Sequence, residues 1–363
     1  MFPRSSAVPT EPVGLTAFNL TPDAAMLCMP LLALLVALAI DHFLGEPPVR
    51  FHPVVWIGNY LHWAGEQVQS LSRQALASTG TAVENEQADL PAFLLGALAW
   101  LWGMLLVGAA ACAIEQSLLA WLEPISWAGL LGAALLLGIV LKPALAWAML
   151  RTEAQAVEEA LSGLPAGSLA RGRERLRFLV SRDVTDLSEV QVRESVIESL
   201  AENLNDSVVA PIFWFVVLGL PGALMYRFAN TADAMWGYPG MYRGRNWQWA
   251  GKWAARADDV LSWLPARITA LLLVLAAAGV SLKSLYRDAA RTPSPNSGWP
   301  MAAMALALGC SLSKPQVYVL NAPGREAQAA DTGRAIRLAG RALWIGVVSL
   351  LVFTLVGMLK VLP

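Results

Sequence analysis

Leu94-Leu-Gly-Ala-Leu-Ala-Trp-Leu-Trp-Gly-Met-Leu-Leu-Val-Gly-Ala-Ala-Ala-Cys-Ala-Ile114 contains no charged residue. In hydrocarbon the backbone finds no water to bond, so such a stretch must satisfy its own N–H and C=O groups as a helix. About 20 apolar residues are enough to cover a bilayer core. Working outward, five more segments have this character: residues 24–44, 124–150 (whose only charge is Lys142), 207–226, 260–282 and 342–359. Pro300–Ser313 is apolar but too short to span, and predicts a re-entrant or interfacial piece. The composition agrees. Of the 363 residues 56 % are hydrophobic and 15 % charged, where soluble chains carry about 25 % charged. Mean hydropathy is +0.50. The expected fold is all-α: one integral membrane domain over residues 1–363, with five or six transmembrane helices, large polar loops and re-entrant segments.

A net charge of −1 excludes a strongly basic nucleic-acid binder, because phosphate neutralisation requires surplus Lys and Arg. Cys28, Cys112 and Cys310 each sit in an apolar run, without CxxC or Cys/His spacing, and predict buried thiols, no disulfide and no zinc site. The first 25 residues make a poor secretory signal, so the first apolar run is expected to remain as an anchor.

Polar stretches separate the apolar ones. Residues 65–90, rich in Ser, Thr and Glu, predict a mobile loop. Arg151–Asp206 is helical by pattern. Arg227–Ser262 and Lys283–Arg341 mix Gly, Pro, Trp and charge, and predict ordered loops. All three of the latter stretches are basic, which places them on one side by the positive-inside rule. A single crossing at 207–226 would separate the first two. Pro211, Gly219, Pro221 and Gly222 interrupt that segment, and a re-entrant hairpin there keeps both loops together.

The strongest chemical signal is Arg193-Glu-Ser-Val-Ile-Glu-Ser-Leu-Ala-Glu-Asn-Leu-Asn-Asp206. Asp186-Leu-Ser-Glu189 ahead of it has capping-box spacing and predicts a helix start. Four-residue spacing then stacks Glu194, Glu198, Glu202 and Asp206 on one face. Like charges so placed repel unless cations neutralise them, and oxygen ligands of this kind suit Mg²⁺ together with phosphates. The alternative is a solvated acidic face countered by Arg171, Arg173, Arg175 and Arg177. Asn230-Thr-Ala-Asp233 and Asp258-Asp259 can hold a metal or act as a base, or cap the helix that follows. Ser294-Pro-Asn-Ser-Gly-Trp-Pro300 can cradle an anion or form a plain turn. His42, His52 and His62 lie ten apart, which matches no one-face ligand set. His52 remains an acid/base candidate. No P-loop and no GxGxxG fingerprint is present.

Taken in order, Leu44-Gly-Glu-Pro with His52-Pro53, Ser181-Arg-Asp183, Glu198-Ser-Leu-Ala-Glu-Asn203 with Asp206, Pro211, Asn230-Thr-Ala-Asp233, Asp258-Asp259 with Pro265-Ala-Arg267, and Ser294-Pro-Asn-Ser-Gly-Trp-Pro300 resemble the CobD/CbiB family of cobalamin biosynthesis, the adenosylcobinamide-phosphate synthases. The resemblance runs from about Asp41 to Arg337. It implies a multi-pass enzyme of the bacterial inner membrane, with its motif loops cytoplasmic. Its members join aminopropanol, or its O-phosphate, to the ring D propionate of adenosylcobyric acid in an amide bond, using ATP and Mg²⁺, alongside other membrane enzymes of cobalamin assembly.

Carried onto this chain, the resemblance implies Glu198, Glu202, Asp206 and Asp233 for metal, and Glu198, Glu202, Asp258, Asp259 and His52 for catalysis. Arg182, Asn203, Asn230, Arg267, Ser294 and Asn296 are implied for substrate or nucleotide. Two departures stand out: Glu46 where relatives often have Asp, and Thr292 where they often have His. The competing readings are a transporter, suggested by Lys142 and Arg267 in apolar segments, and a non-catalytic regulatory relative, suggested by Thr292.

Overall fold

The computed structural model describes residues 22–79, 89–121, 126–163 and 167–361. Thirteen α-helices dominate those residues: α1 Pro22–Leu44, α2 Pro53–Thr79, α3 Leu90–Ala120, α4 Trp127–Leu141, α5 Trp147–Ser162, α6 Leu169–Leu176, α7 Glu189–Leu204, α8 Ala210–Trp236, α9 Lys252–Leu261, α10 Trp263–Ala277, α11 Leu282–Ala289, α12 Gly298–Leu308 and α13 Ala329–Val361. Two small antiparallel hairpins complete the fold, β1 Met241–Tyr242 with β2 Arg245–Asn246, and β3 Leu312–Lys314 with β4 Tyr318–Leu320. Five helical stretches are long and apolar enough to cross a membrane, or six if the bent pair α9–α10 is one span. Their outward side chains are apolar where lipid would lie, as on α13 at Val348, Val352 and Phe353. Exposed Trp121 and Trp127 mark the far ends of α3 and α4, the usual depth of an aromatic belt.

The longest candidate, Glu189–Trp236, does not run straight. A continuous helix would separate Asp206 from Arg227 by about 31 Å. Instead Arg227 donates to the Asp206 carbonyl at 3.0 Å. The chain reverses at Gly219, whose φ of 69° suits glycine and where a Cβ would strike the Glu115 carboxylate. Glu115 on α3 accepts from the Leu220 N–H at 3.0 Å, capping the returning half of α8. Pro221 follows at the start of that half, where a missing N–H costs nothing. A π-helical turn, Asn205–Val209, joins α7 to the hairpin. The re-entrant reading of 207–226 is therefore the one the geometry supports, and Arg151–Asp206 and Arg227–Ser262 lie on one face.

The α9–α10 pair bends by 47°. Lys314 and Tyr318, which follow it, reach the same part of α7 as Arg182, which precedes it. The two flanking loops thus also share a face. Segment 260–282 does not carry the chain away from the site.

Several expectations need correction. Gly65–Thr79 is helical and completes α2, leaving only 80–88 of the expected loop outside the described residues. Ile57, Leu61, Ala64 and Val68 recur at helical spacing and pack beside Trp236 and Trp247, so periodicity outweighs the polar composition. Segment 124–150 is broken: Lys142 and Pro143 end α4 in a 3₁₀ turn before α5 begins. Pro300–Ser313, read as re-entrant or interfacial, is instead mostly core helix α12, with Met301 through Ala305 at most 3 % exposed, and its end enters β3. The helix start near 186–189 falls slightly later, where Ser188 and Gln191 form the capping box. All three cysteines are free; Cys310 is buried, but Cys112 lies on an exposed face of α3.

Candidate functional site

The acidic row forms on α7 as its spacing predicts, and it is not a solvated face. Glu194 and Glu198 are 4 % and 3 % exposed. The Ser313 hydroxyl donates to Glu194 at 2.6 Å, and the Ser313 N–H at 3.2 Å. Arg182 donates to Glu198 at 3.0 Å and to the Ser195 hydroxyl at 2.7 Å. The other Glu198 oxygen, Oε1, is buried without a hydrogen-bond partner. Arg173 and Arg175, expected as counter-charges, bond the Leu187 carbonyl and Glu153 instead.

Glu198 and Glu202 line a cavity of about 160 Å³ with Arg182, Ser195, Asn203, Lys314 and Tyr318. Burial and the neighbouring Glu198 carboxylate push the Tyr318 phenol well above its ordinary value, so it stays protonated and available as a donor. A second, more open cavity of about 560 Å³ shares the wall Leu179–Arg182 and adds Arg177, Tyr242 and Arg243. Basic side chains thus flank a pair of carboxylates, an arrangement that can take a phosphate on one side and a cation on the other.

The acids continue below the cavity. Glu202 feels the charges of Asp206, Glu198 and Asp233, and Lys314 is the cation whose charge reaches it. Asp206 accepts from Asn205 at 2.8 Å. Asp258 faces Asn230 at 3.5 Å and accepts from Ser262 at 3.4 Å, within electrostatic reach of Asp206 and Asp233. The hairpin of α8 makes this possible, because Asn230 and Asp233 return on its second half. Asp259, the neighbour of Asp258, turns outward to pair with Arg256 at 3.3 Å. Among the described residues no three His, Cys, Asp or Glu side chains converge as a ready metal cluster. The orphaned Glu198 oxygen and the uncompensated acids nonetheless fit a hard divalent ion that keeps most of its ligands as water and phosphate.

Other expected residues lie further off. His52 Nδ1 accepts from the Val54 N–H at 3.2 Å, which leaves the Nε2 proton to bond Glu46 at 3.1 Å. Glu46 in turn meets Lys142 at 2.7 Å, and Lys142 meets Asp41 at 3.4 Å. Asn203 donates to the Ser199 carbonyl at 3.0 Å, on the rim of the cavity. Arg267 donates to the carbonyls of Trp263 and Pro295 and to Asn296, and stacks over Trp263 and Trp299. The Ser294 hydroxyl accepts from the N–H groups of Asn296 and Ser297. That loop spends its donors internally, as a rigid turn does, and Asn296 ties it to the Asp259 carbonyl at 2.8 Å. Thr292 closes the same loop through the Ser294 carbonyl at 2.9 Å. Lys314, Tyr318 and Arg227 were not singled out from sequence. Only Arg227, adjoining Asn230-Thr-Ala-Asp233 at the edge of an apolar run, carried a legible signal.

The sequence profile of the CobD/Cbib protein family matches residues 34–360. The chain belongs to that family. It is 39 % identical over 324 residues to the cobalamin biosynthesis protein CobD of Chromobacterium violaceum, covering 85 % of this chain and 92 % of the relative. It is 36 % identical over 330 residues to the cobalamin biosynthesis protein CobD of Brucella suis, with the same two coverages. No solved structure matches.

Proposed function

We propose that this CobD-family protein acts in cobalamin biosynthesis as an adenosylcobinamide-phosphate synthase of the bacterial inner membrane. It would form an amide between aminopropanol, or its O-phosphate, and the ring D propionate of adenosylcobyric acid. The observation that carries the reading is the cavity in which Arg182 and Lys314 flank Glu198 and Glu202, on a chain of this family. ATP with Mg²⁺, when bound, supplies the phosphoryl group that makes the propionate an acyl donor. Glu198 and Glu202, with Asp206 and Asp233 behind them, would hold the divalent ion. Arg182 and Lys314 pair with phosphate oxygens as charge develops there. The broader basic cavity beside them, with Tyr242 and Arg243, receives the corrinoid. Asp258 takes the proton that the ammonium must lose before it attacks, and Asn230 orients it.

Every Lys and Arg except Arg4 and Lys360 lies from Arg50 to Arg341, and the sequence between α3 and α4, residues 121–126, has none. By the positive-inside rule the site faces the cytoplasm, where ATP is available. Transport gains no support. Lys142 is neutralised at the end of α4 by Asp41 and Glu46, and Arg267 is consumed by the Ser294 loop.

The test is a ligation assay on the purified protein in lipid, with adenosylcobyric acid, either amine, ATP and Mg²⁺, and the corrinoid read by mass. A gain matching the amide, absent without ATP, is expected. Folded protein that yields no product with either amine would favour the regulatory reading, with Thr292 its sequence correlate.

A further inference from the structure

Arg334, Arg337 and Arg341 are exposed on one face of α13, immediately before its apolar run begins at Ala342. They line a cavity of about 300 Å³ whose opposite wall is apolar, built from Ala276 and Ala277 at the end of α10 and Ala307 and Leu308 at the end of α12. Buried Asp331 engages Arg334 at 2.9 Å and Arg325 at 2.6 Å. Among the described residues Arg337 and Arg341 meet no carboxylate. Two uncompensated guanidinium groups against an apolar wall call for an anion that carries apolar surface with it.

Depth identifies which kind. One turn below Arg341, Trp344 is 57 % exposed, and Val348, Val352 and Phe353 follow outward-facing. On α10, Leu271 and Leu275 are exposed as well. These surfaces are at home only in lipid, so the cavity opens where hydrocarbon gives way to headgroups. Basic pockets between helices at that depth suit anionic headgroups. We propose that this cavity binds the headgroup of an anionic phospholipid, its phosphate on Arg337 and Arg341 and its chains beside α10. The cavity shares no residue with the one lined by Glu198 and Glu202, and the inference does not rest on the ligation reading. Its consequence is mechanical. The lipid bridges α10, α12 and α13, and α12 supplies Met301 to the acidic cavity.

The test is a titration of detergent-purified protein with short-chain phosphatidylglycerol and phosphatidylcholine, read by native mass spectrometry as lipid retained. Phosphatidylglycerol is expected to bind in preference, and Arg337→Gln/Arg341→Gln to weaken it about 30-fold, since each arginine near an anionic surface contributes about fivefold. Lys283→Gln, exposed and outside the cavity, should change nothing. Equal retention of the two lipids by the unmutated protein overturns the proposal whatever the variants do. So does an equal loss in Lys283→Gln, which would mean undirected surface charge. Competition by inorganic phosphate at concentrations matching the lipid would mark a soluble-anion site and overturn it too.

Discussion

Arg227 donates to the Asp206 carbonyl at 3.0 Å from 21 positions along the chain. That contact brings the end of α7 and the second half of α8 together, because it closes α8 into a hairpin. Cysteines placed at exposed Asp186, Gln248 and Gln316 are therefore expected to react with an impermeant maleimide from the same face of oriented vesicles. Labelling of the Gln248→Cys variant from the face opposite to Asp186→Cys would mean that α8 crosses, and would remove the hairpin.

The hairpin depends on a backbone that only glycine adopts without strain. Gly219 has a φ of 69° and lies against Glu115. Gly219→Ala adds a Cβ both to a left-handed position and to an occupied space, and should cost about 1–3 kcal/mol. Thermal unfolding in detergent would show this. Unchanged stability would mean that the reversal is not fixed at this residue.

The two halves of this picture were unequally visible in the sequence. Apolar length marked α1, α3 and α13, and four-residue spacing marked the acidic face of α7, because both signals are local. Breaks were legible as Pro and Gly, so the hairpin in 207–226 could be inferred. Whether Glu194 and Glu198 are solvated could not. Their burial is made by Ser313 and Tyr318, more than a hundred residues away, on a hairpin with no charge pattern to announce it. The partners of Arg267 were hidden for the same reason. A cation in an apolar run suggests a ligand, and only the fold supplies Asn296 and the two tryptophans beside it.

Glu202 lies among like charges and has Lys314 for its cation. Burial, and after it the neighbouring carboxylates, make an acid costly here, and glutamine carries no such cost, so Glu202→Gln should stabilise the protein by about 0.5–2 kcal/mol while it loses function, as sites built for binding commonly do. Ligation should fall at least a hundredfold, with Mg²⁺ dependence shifted to higher concentration. A variant with full turnover removes Glu202 from the site, and a destabilised one shows that its charge is compensated by something other than a bound ion.

Half-buried Arg182 pairs with buried Glu198, and the carboxylate is costly without its partner. Arg182→Ala should cost about 3–5 kcal/mol by stranding the carboxylate. Arg182→Ala/Glu198→Gln should recover most of that loss, because no charge is then left unpaired. Activity should return in neither variant if both groups contact substrate or metal. Double-variant unfolding curves alongside the ligation assay separate the structural from the chemical contribution. A double variant that regains turnover would confine the pair to holding α7 against the 177–184 loop.

Lys142 is 2 % exposed and faces two carboxylates, Asp41 at 3.4 Å and Glu46 at 2.7 Å. Asp41 also accepts from the Ala148 N–H at 2.7 Å, so the network pins the end of α1 to the start of α5. Glu46 passes the charge on to His52, which anchors the entry to α2. Lys142→Met leaves buried Asp41 and half-buried Glu46 beside each other without their cation and should cost about 3–5 kcal/mol. Lys142→Met/Asp41→Asn keeps one acid, Glu46, which the His52 Nε2–H still bonds, and should recover part of the loss. Unfolding of the single and double variants measures it. A double variant no more stable than Lys142→Met would mean that the buried Asp41 charge is not what makes the loss of Lys142 costly.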